Sequence, residues 1–251
     1  MRAHRQTRGV IRCAVVEYVE LAHAATDRGD VLLRERRRTG TAVADGAGVL
    51  ELRVNGVFVM DTAETGSERA LAAAALSRVA RPHTVLVGGL GLGFTAREVL
   101  GDSRVERLVV VEIEEALVGW MRDGTVPHGP RLLAEPRLSV VVDDVRRAVR
   151  GSPPASYDLV LLDVDNGPGF LVYDANAAVY GGAFLSEVAR VLRPGGVAGV
   201  WSMAESVALA EAMSGALVGV DAVPVDVRLQ ERAETYWLYL GRAAGGAEAA
   251  G

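Results

Sequence analysis

From Thr84 to Gly241 the chain alternates short runs of apolar, β-rich residues with stretches of helical periodicity. The runs TVLVGG, RLVVVEI, LSVVVDD, YDLVLLDVD and GGVAGVWS read as strands that are buried on both faces. Between them, helices are expected near Thr95 to Leu100, Glu115 to Arg122, Val145 to Val149 and Ala178 to Leu192, with another over Ala204 to Ala216. Strands alternating with helices predict a parallel sheet covered on both sides. AVPVDVRL and TYWLYLGR follow, joined by Gln230 to Glu234, a joint too short for a helical crossover. They are expected to form an antiparallel hairpin that closes the sheet, giving a doubly wound, mostly parallel, seven-stranded α/β fold of Rossmann-like type.

The pattern before residue 67 differs. Leu50 to Val54 and Val57 to Met60 flank Asn55-Gly56, a pair that favours the positive φ angles of a tight hairpin turn. A small β-rich N-terminal domain is expected over 1–66, the Rossmann-like domain over 67–242, and a disordered tail over 243–251, with the Arg-rich first dozen residues also uncommitted to structure. Glu64 to Ala80 reads as a linking helix with Thr65 or Ser67 as its cap. The Arg34 to Arg38 run is expected on a solvated edge strand, where charge discourages edge-to-edge pairing.

Of 251 residues, 50% are hydrophobic and 24% charged, so the chain is expected to fold as a soluble globular protein. A formal net charge of -5 disfavours nucleic acid, whose binding needs an excess of cations to displace counterions from phosphates. The single cysteine, Cys13, excludes an internal disulfide and is expected to be a small buried hydrophobe; a cytoplasmic location fits. No apolar run is long enough for a membrane span, so no membrane partner is expected. His4, His23, His83 and His128 fall at a frayed end, on a helix, before a strand and in an exposed loop. None has ligand spacing with another, and no metal site is expected.

The clearest chemical signal is VLVGGLGLGFTAREVL, a buried strand running into Gly89, Gly91 and Gly93 and then a helix. Glycines there permit a tight turn and let a nucleotide or a sulfonium nucleoside approach the backbone. Gly91-x-Gly93-x-x-Ala96 also fits a dinucleotide fingerprint, so the glycines leave NAD and S-adenosylmethionine both open. Glu112 ends the next strand at the spacing of an acid that accepts hydrogen bonds from both ribose hydroxyls. Asp143 and Asp144 close the third strand, where one carboxylate, Asp144 by preference, meets the adenine amino group unless it caps the next helix.

The second half separates the alternatives. Asp158 to Asp163 ends a fourth strand, and Leu192-Arg193-Pro194-Gly195-Gly196 precedes a fifth. With the closing hairpin, this resembles the class I methyltransferase fold. GGLGLG, VVEIEE, DD, YDLVLLDVDNGP and LRPGG in this order resemble the spermidine synthase family more narrowly, over roughly Val49 to Gly241. The resemblance implies a donor loop at Gly89, Gly91 and Gly93, a ribose-binding acid at Glu112, an adenine-side acid at Asp144 and a catalytic acid at Asp163.

Two departures bear on the acceptor. The second Asp of the family's Asp-x-x-Asp-Pro segment falls at Asn166, with Asp165 one place earlier. The family's Tyr-His-Glu run on the linking helix is replaced by Ser67-Glu68-Arg69. Asp165, Asn166, Tyr173 and Tyr180 are therefore expected to form a divergent acceptor pocket, with Trp201 as a further wall or a core residue.

The reading that follows is a transferase, moving an aminopropyl or related alkyl group from S-adenosylmethionine or its decarboxylated form to an amine. Asp163 would attract the ammonium and accept its proton. A methyltransferase of a small molecule and a non-catalytic donor-binding relative are the alternatives. A nicotinamide dehydrogenase is disfavoured because no substrate domain with a His or Lys acid/base follows the glycine loop. The resemblance also implies a homodimer, paired through the exposed N-terminal hairpin.

Overall fold

The computed structural model describes residues 15–39, 48–230 and 232–245. Its main sheet has seven strands in the order β10-β11-β9-β8-β5-β6-β7. In chain order these are β5 (Thr84–Gly88), β6 (Arg107–Glu112), β7 (Leu138–Val142), β8 (Tyr157–Leu162), β9 (Leu192–Ser202), β10 (Val218–Leu229) and β11 (Arg232–Arg242). β5 to β9 run parallel, whereas β11 pairs antiparallel with both β9 and β10. From β5 the chain winds outward through β6 to β7, then returns to β8 on the other side. Strand order thus reverses between β5 and β8, which opens the crevice where open α/β sheets bind ligands.

Two apolar layers flank this sheet because alternate residues of each buried strand point to opposite faces. Val85, Val87, Leu108 and Val110 pack on one side with α1 (Gly66–Leu76) and α2 (Phe94–Gly101). Leu86, Val109, Val160 and Leu162 pack on the other with α5 (Val145–Gly151) and α6 (Gly182–Val191). Helices α3 (Glu115–Asp123), α4 (Gly129–Leu133) and α7 (Val207–Ser214) complete the order, with a 3-10 turn over Asp174–Tyr180. Among the described residues no helix is long and apolar enough to cross a membrane.

A second, antiparallel sheet has the order β1-β2-β3-β4, from β1 (Val15–Thr26), β2 (Gly29–Thr39), β3 (Val49–Val54) and β4 (Val57–Asp61). Asn55 and Gly56 take φ of 51° and 75°, the turn that their sequence anticipates. β1 places His23 on a strand rather than a helix, with its ring beside Asp30 across the hairpin. β2 is an inner strand, not a solvated edge. Three of its arginines are in ion pairs: Arg34 with buried Glu51 at 2.6 Å, Arg36 with buried Asp61 at 3.3 Å, and Arg37 with Glu35.

Several local expectations shift. Thr65 occupies the position before α1 but makes no side-chain capping bond, and the Ser67 hydroxyl turns to Glu68 instead. The strand after LRPGG begins earlier, at Leu192. Ala243 is buried, and its backbone pairs with Gly195 and Gly196. Cys13, His4 and the rest of the Arg-rich start lie outside the described residues, as does 246–251.

Candidate active site

A cleft of about 1030 Å³, including its open mouth, lies at the C-terminal ends of β5, β6, β7 and β8. Its floor is the glycine loop. Gly89 has φ +91°, and a Cβ there would stand 2.0 Å from the Asp163 carbonyl oxygen. At Gly91, φ +49°, a Cβ would meet Met60 Sδ at 2.6 Å. The loop is therefore held between the end of β8 and the end of β4, with bare backbone facing the cleft. Gly93, φ +85°, lies just before α2.

Glu112 ends β6 with its carboxylate turned back under the loop, accepting from Leu90 N at 2.7 Å and Glu114 N at 2.8 Å. Burial raises its pKa, opposed by these amides. Asp143 and Asp144 stand on the next wall. Asp144 accepts from Arg146 N at 2.8 Å as the cap of α5 and is paired with the Arg146 guanidinium at 2.6 Å. Burial alone would raise it, but these bonds hold its pKa below the ordinary range. Arg147 does the same for Asp143.

Asp163, just past β8, faces the cleft with Thr95 Oγ1 donating to its Oδ2. Removal from water pushes its pKa up to about 6, against the Thr95 bond. Opposite stands Glu68, in the first turn of α1, with Ser67 Oγ donating to its Oε2 at 2.8 Å. Burial and then the Asp163 charge raise Glu68 to about 7. Reading Ser67-Glu68-Arg69 only as a departure missed this carboxylate. The signal was present: Leu71, Ala72 and Ala75, three, four and seven places on, are buried, so Glu68 heads the core-facing stripe of its helix.

A smaller cleft of about 320 Å³ adjoins the first. Glu68, Trp201, Val59 and Met60 line both. Beyond them the smaller cleft is walled by Phe58, Met203 and Leu229, with Asp61, Glu64 and Tyr236 as its polar groups. Trp201 packs edge-on against Tyr236 at 4.9 Å, and its buried indole N–H has no partner among the described residues. Burial and then the charges of Glu68, Glu234, Glu64 and Asp61 raise Tyr236 to about 12.

The loop after β8 divides its residues between wall and fastening. Asn166 lines the smaller cleft and donates from Nδ2 to Phe58 O at 3.0 Å, tying the loop to β4. Asp165 accepts from Asn166 N, Val172 N and Asn176 Nδ2 at 2.6 to 2.8 Å, so its carboxylate organises the loop. The Tyr173 hydroxyl donates to Glu114 Oε1 at 2.9 Å, which also accepts from Arg28 Nε at 2.9 Å. Tyr180 lines neither cleft; it is buried and donates to Val164 O at 2.5 Å. His128 is half-buried rather than exposed, bonding Leu92 O at 2.6 Å with its ring 5.4 Å from Phe94.

Glu112, Glu114, Asp143, Asp144, Asp163, Asp165 and Glu68 all line the larger cleft, and among the described residues no Lys or Arg does. Such a wall attracts cations and repels a free carboxylate. Residues 64–217, more than half of the chain, match the model of the spermine/spermidine synthase domain. The chain is 31% identical to putrescine N-methyltransferase 3 of Nicotiana tabacum over 134 residues, covering 53% of this chain and 32% of that protein. It is 35% identical to polyamine aminopropyltransferase 2 of Pseudomonas aeruginosa over 123 residues, 47% of this chain and 33% of that one. The chain thus spans about a third of the length of these relatives. The structure of spermidine synthase from Thermotoga maritima superposes with a TM-score of 0.72 over 90% of this chain and 72% of that one, at 14% identity, a likeness of fold.

Proposed function

The chain belongs to the spermine/spermidine synthase domain family, and from that premise we propose that it transfers an aminopropyl group from decarboxylated S-adenosylmethionine to an amine. The observation that carries this reading is that, among the described residues, every charged side chain lining the larger cleft is acidic. A decarboxylated donor has a sulfonium and an ammonium, both attracted to such a wall, whereas ordinary S-adenosylmethionine adds a carboxylate for which the lining offers no cation.

In this reading Gly89, Gly91 and Gly93 give the donor close approach to the backbone, and Glu112 takes the ribose hydroxyls. Asp143 and Asp144 border the adenine, Asp144 keeping its capping role. Residues of 67–242 supply most of the donor's contacts, with Val31, Leu52 and Val54 of the N-terminal sheet also on that cleft, and β4 helps wall the acceptor side. Phe58 and Trp201 border the acceptor's carbon chain, with Asn166 at its edge and Asp61 and Glu64 near its far end. Asp165 and Tyr173 act by holding the loop.

The donor supplies an electrophilic carbon activated by a sulfonium leaving group. Asp163 draws in the ammonium form of the acceptor and removes its proton, since only the neutral amine has a lone pair to attack. The test is to supply donor with a panel of mono-, di- and polyamines and measure methylthioadenosine. Product with decarboxylated donor and not with S-adenosylmethionine supports the reading; S-adenosylhomocysteine from the ordinary donor would replace it by N-methylation, the activity in the name of the tobacco relative.

A further inference from the structure

The two clefts meet at a neck on which Glu68 and Trp201 both stand. Glu68 and Asp163 both line the larger cleft, and the Asp163 charge opposes the ionisation of Glu68. Apart from its own backbone amide, Glu68 receives a hydrogen bond only from Ser67, and Asp163 only from Thr95, among the described residues. Neither is in an ion pair among those residues. Two carboxyls confined together without a cation destabilise the empty protein. An apolar side chain at this core-facing position of α1 would pack without that penalty, so the arrangement suits a cationic ligand better than a structural role.

Resting on the aminopropyl-transfer reading, we propose that Glu68 is a second acceptor-binding carboxylate, and that the acceptor ammonium seats between it and Asp163 and surrenders its proton to the pair. The neutral amine then attacks: its lone pair forms the new N–C bond, the C–S bond breaks, and the electrons of that bond remain on sulfur as a neutral thioether. The product leaves as a secondary ammonium, and the proton held by the pair passes to solvent. Other groups face Glu68 at the neck. Glu64 and Asp61 precede α1, Tyr236 comes from β11, and Arg36 from β2 is already bonded to Asp61. Across the larger cleft stand Glu112 and Glu114, the latter paired with Arg28. Among the described residues Glu68 therefore has no cation to itself, and an incoming ammonium supplies one.

The experiment compares the full chain with Glu68→Gln, using decarboxylated S-adenosylmethionine and putrescine with its shorter and longer homologues. Expected is an acid limb of kcat/KM for the amine that in the wild type reflects two groups and in the variant one, displaced to lower pH. KM for the amine should rise roughly tenfold or more, with calorimetric binding of methylthioadenosine unchanged. An unchanged amine KM and an unchanged limb would overturn the proposal. Should the variant not fold, carbon-13 carboxyl resonances of the wild type decide. With methylthioadenosine present, putrescine should move the Glu68 titration to lower pH, and a Glu68 signal indifferent to putrescine refutes its role. Failure of the wild type to form methylthioadenosine with any amine would sink the transfer reading instead, and the resonance would still report whether the pair holds an amine.

Discussion

Asp163 combines two conditions that a general base must meet. Loss of water around its carboxyl brings its pKa to about 6, near neutrality, and its position at the cleft floor leaves one edge open to a ligand. Asp163→Asn keeps the shape and the Thr95 contact but removes both the charge and the proton acceptor. Turnover should fall by roughly 10²- to 10⁴-fold, with methylthioadenosine binding retained; comparable losses in both would make Asp163 a folding residue. Gly89 tests the other half of the site. Gly89→Ala forces an L side chain into a left-handed φ and drives its Cβ into the Asp163 carbonyl. Donor-analogue binding should disappear in calorimetry, and unfolding in urea should show a loss of at least about 2 kcal/mol. Full binding at wild-type stability would mean that the loop has room this structure does not show.

At the scale of elements, the loop after β8 is clasped from outside. Arg28, in the β1-β2 turn, donates to both Glu114 Oε1 and Ile113 O, and Tyr173 reaches the same carboxylate oxygen from the loop. Tyr173→Phe removes one bond, so hydrogen exchange should quicken across 165–176 and methylthioadenosine binding weaken by roughly 3- to 10-fold. Unchanged exchange would show that Asp165 and Asn166 hold the loop without Tyr173. The same contacts explain what was legible in the sequence. The Asn55-Gly56 hairpin, the glycine loop and the main-sheet strands carry their signals locally, in turn chemistry and apolar runs. β1 does not, because VVEYVELAHAAT is largely exposed and is interrupted by a bulge between Glu20 and Ala22, so no clean alternation marks it. α4 is only five residues long and opens on His128-Gly129-Pro130, which reads as a turn. The Arg28, Glu114 and Tyr173 contact joins three distant segments, and nothing local in any of them announces it.

Across the whole molecule, two pairs of cleft acids have effects on stability that oppose each other. Asp143 and Asp144 are held low by arginines, so their contribution is present above the unfolded-state pKa and is lost as pH falls through the folded one. Glu68 and Asp163 are held high, at about 7 and about 6 against ordinary values of 4.5 and 3.8. The folded protein binds more protons than the unfolded chain between those limits, so stability declines as pH rises through that window. The ligand-free protein should melt at its highest temperature near about pH 5 and lower at pH 8, and Glu68→Gln should flatten the slope. A Tm rising steadily from pH 5 to 8 in the wild type would contradict the raised pair. The fold class was readable from one end of the sheet to the other, whereas the partnership of Glu68 with Asp163 required α1 to be laid against the end of β8. β4 adds a last point. Phe58, Val59 and Met60 wall the smaller cleft in succession, Phe58 O anchors Asn166, and Met60 Sδ accepts from Leu92 N. All three lie outside the segment matched by the family model. On the proposed reading, a change at Phe58 would therefore reshape the acceptor side from outside the matched segment, whereas one at Met60 would also disturb the glycine loop that it touches.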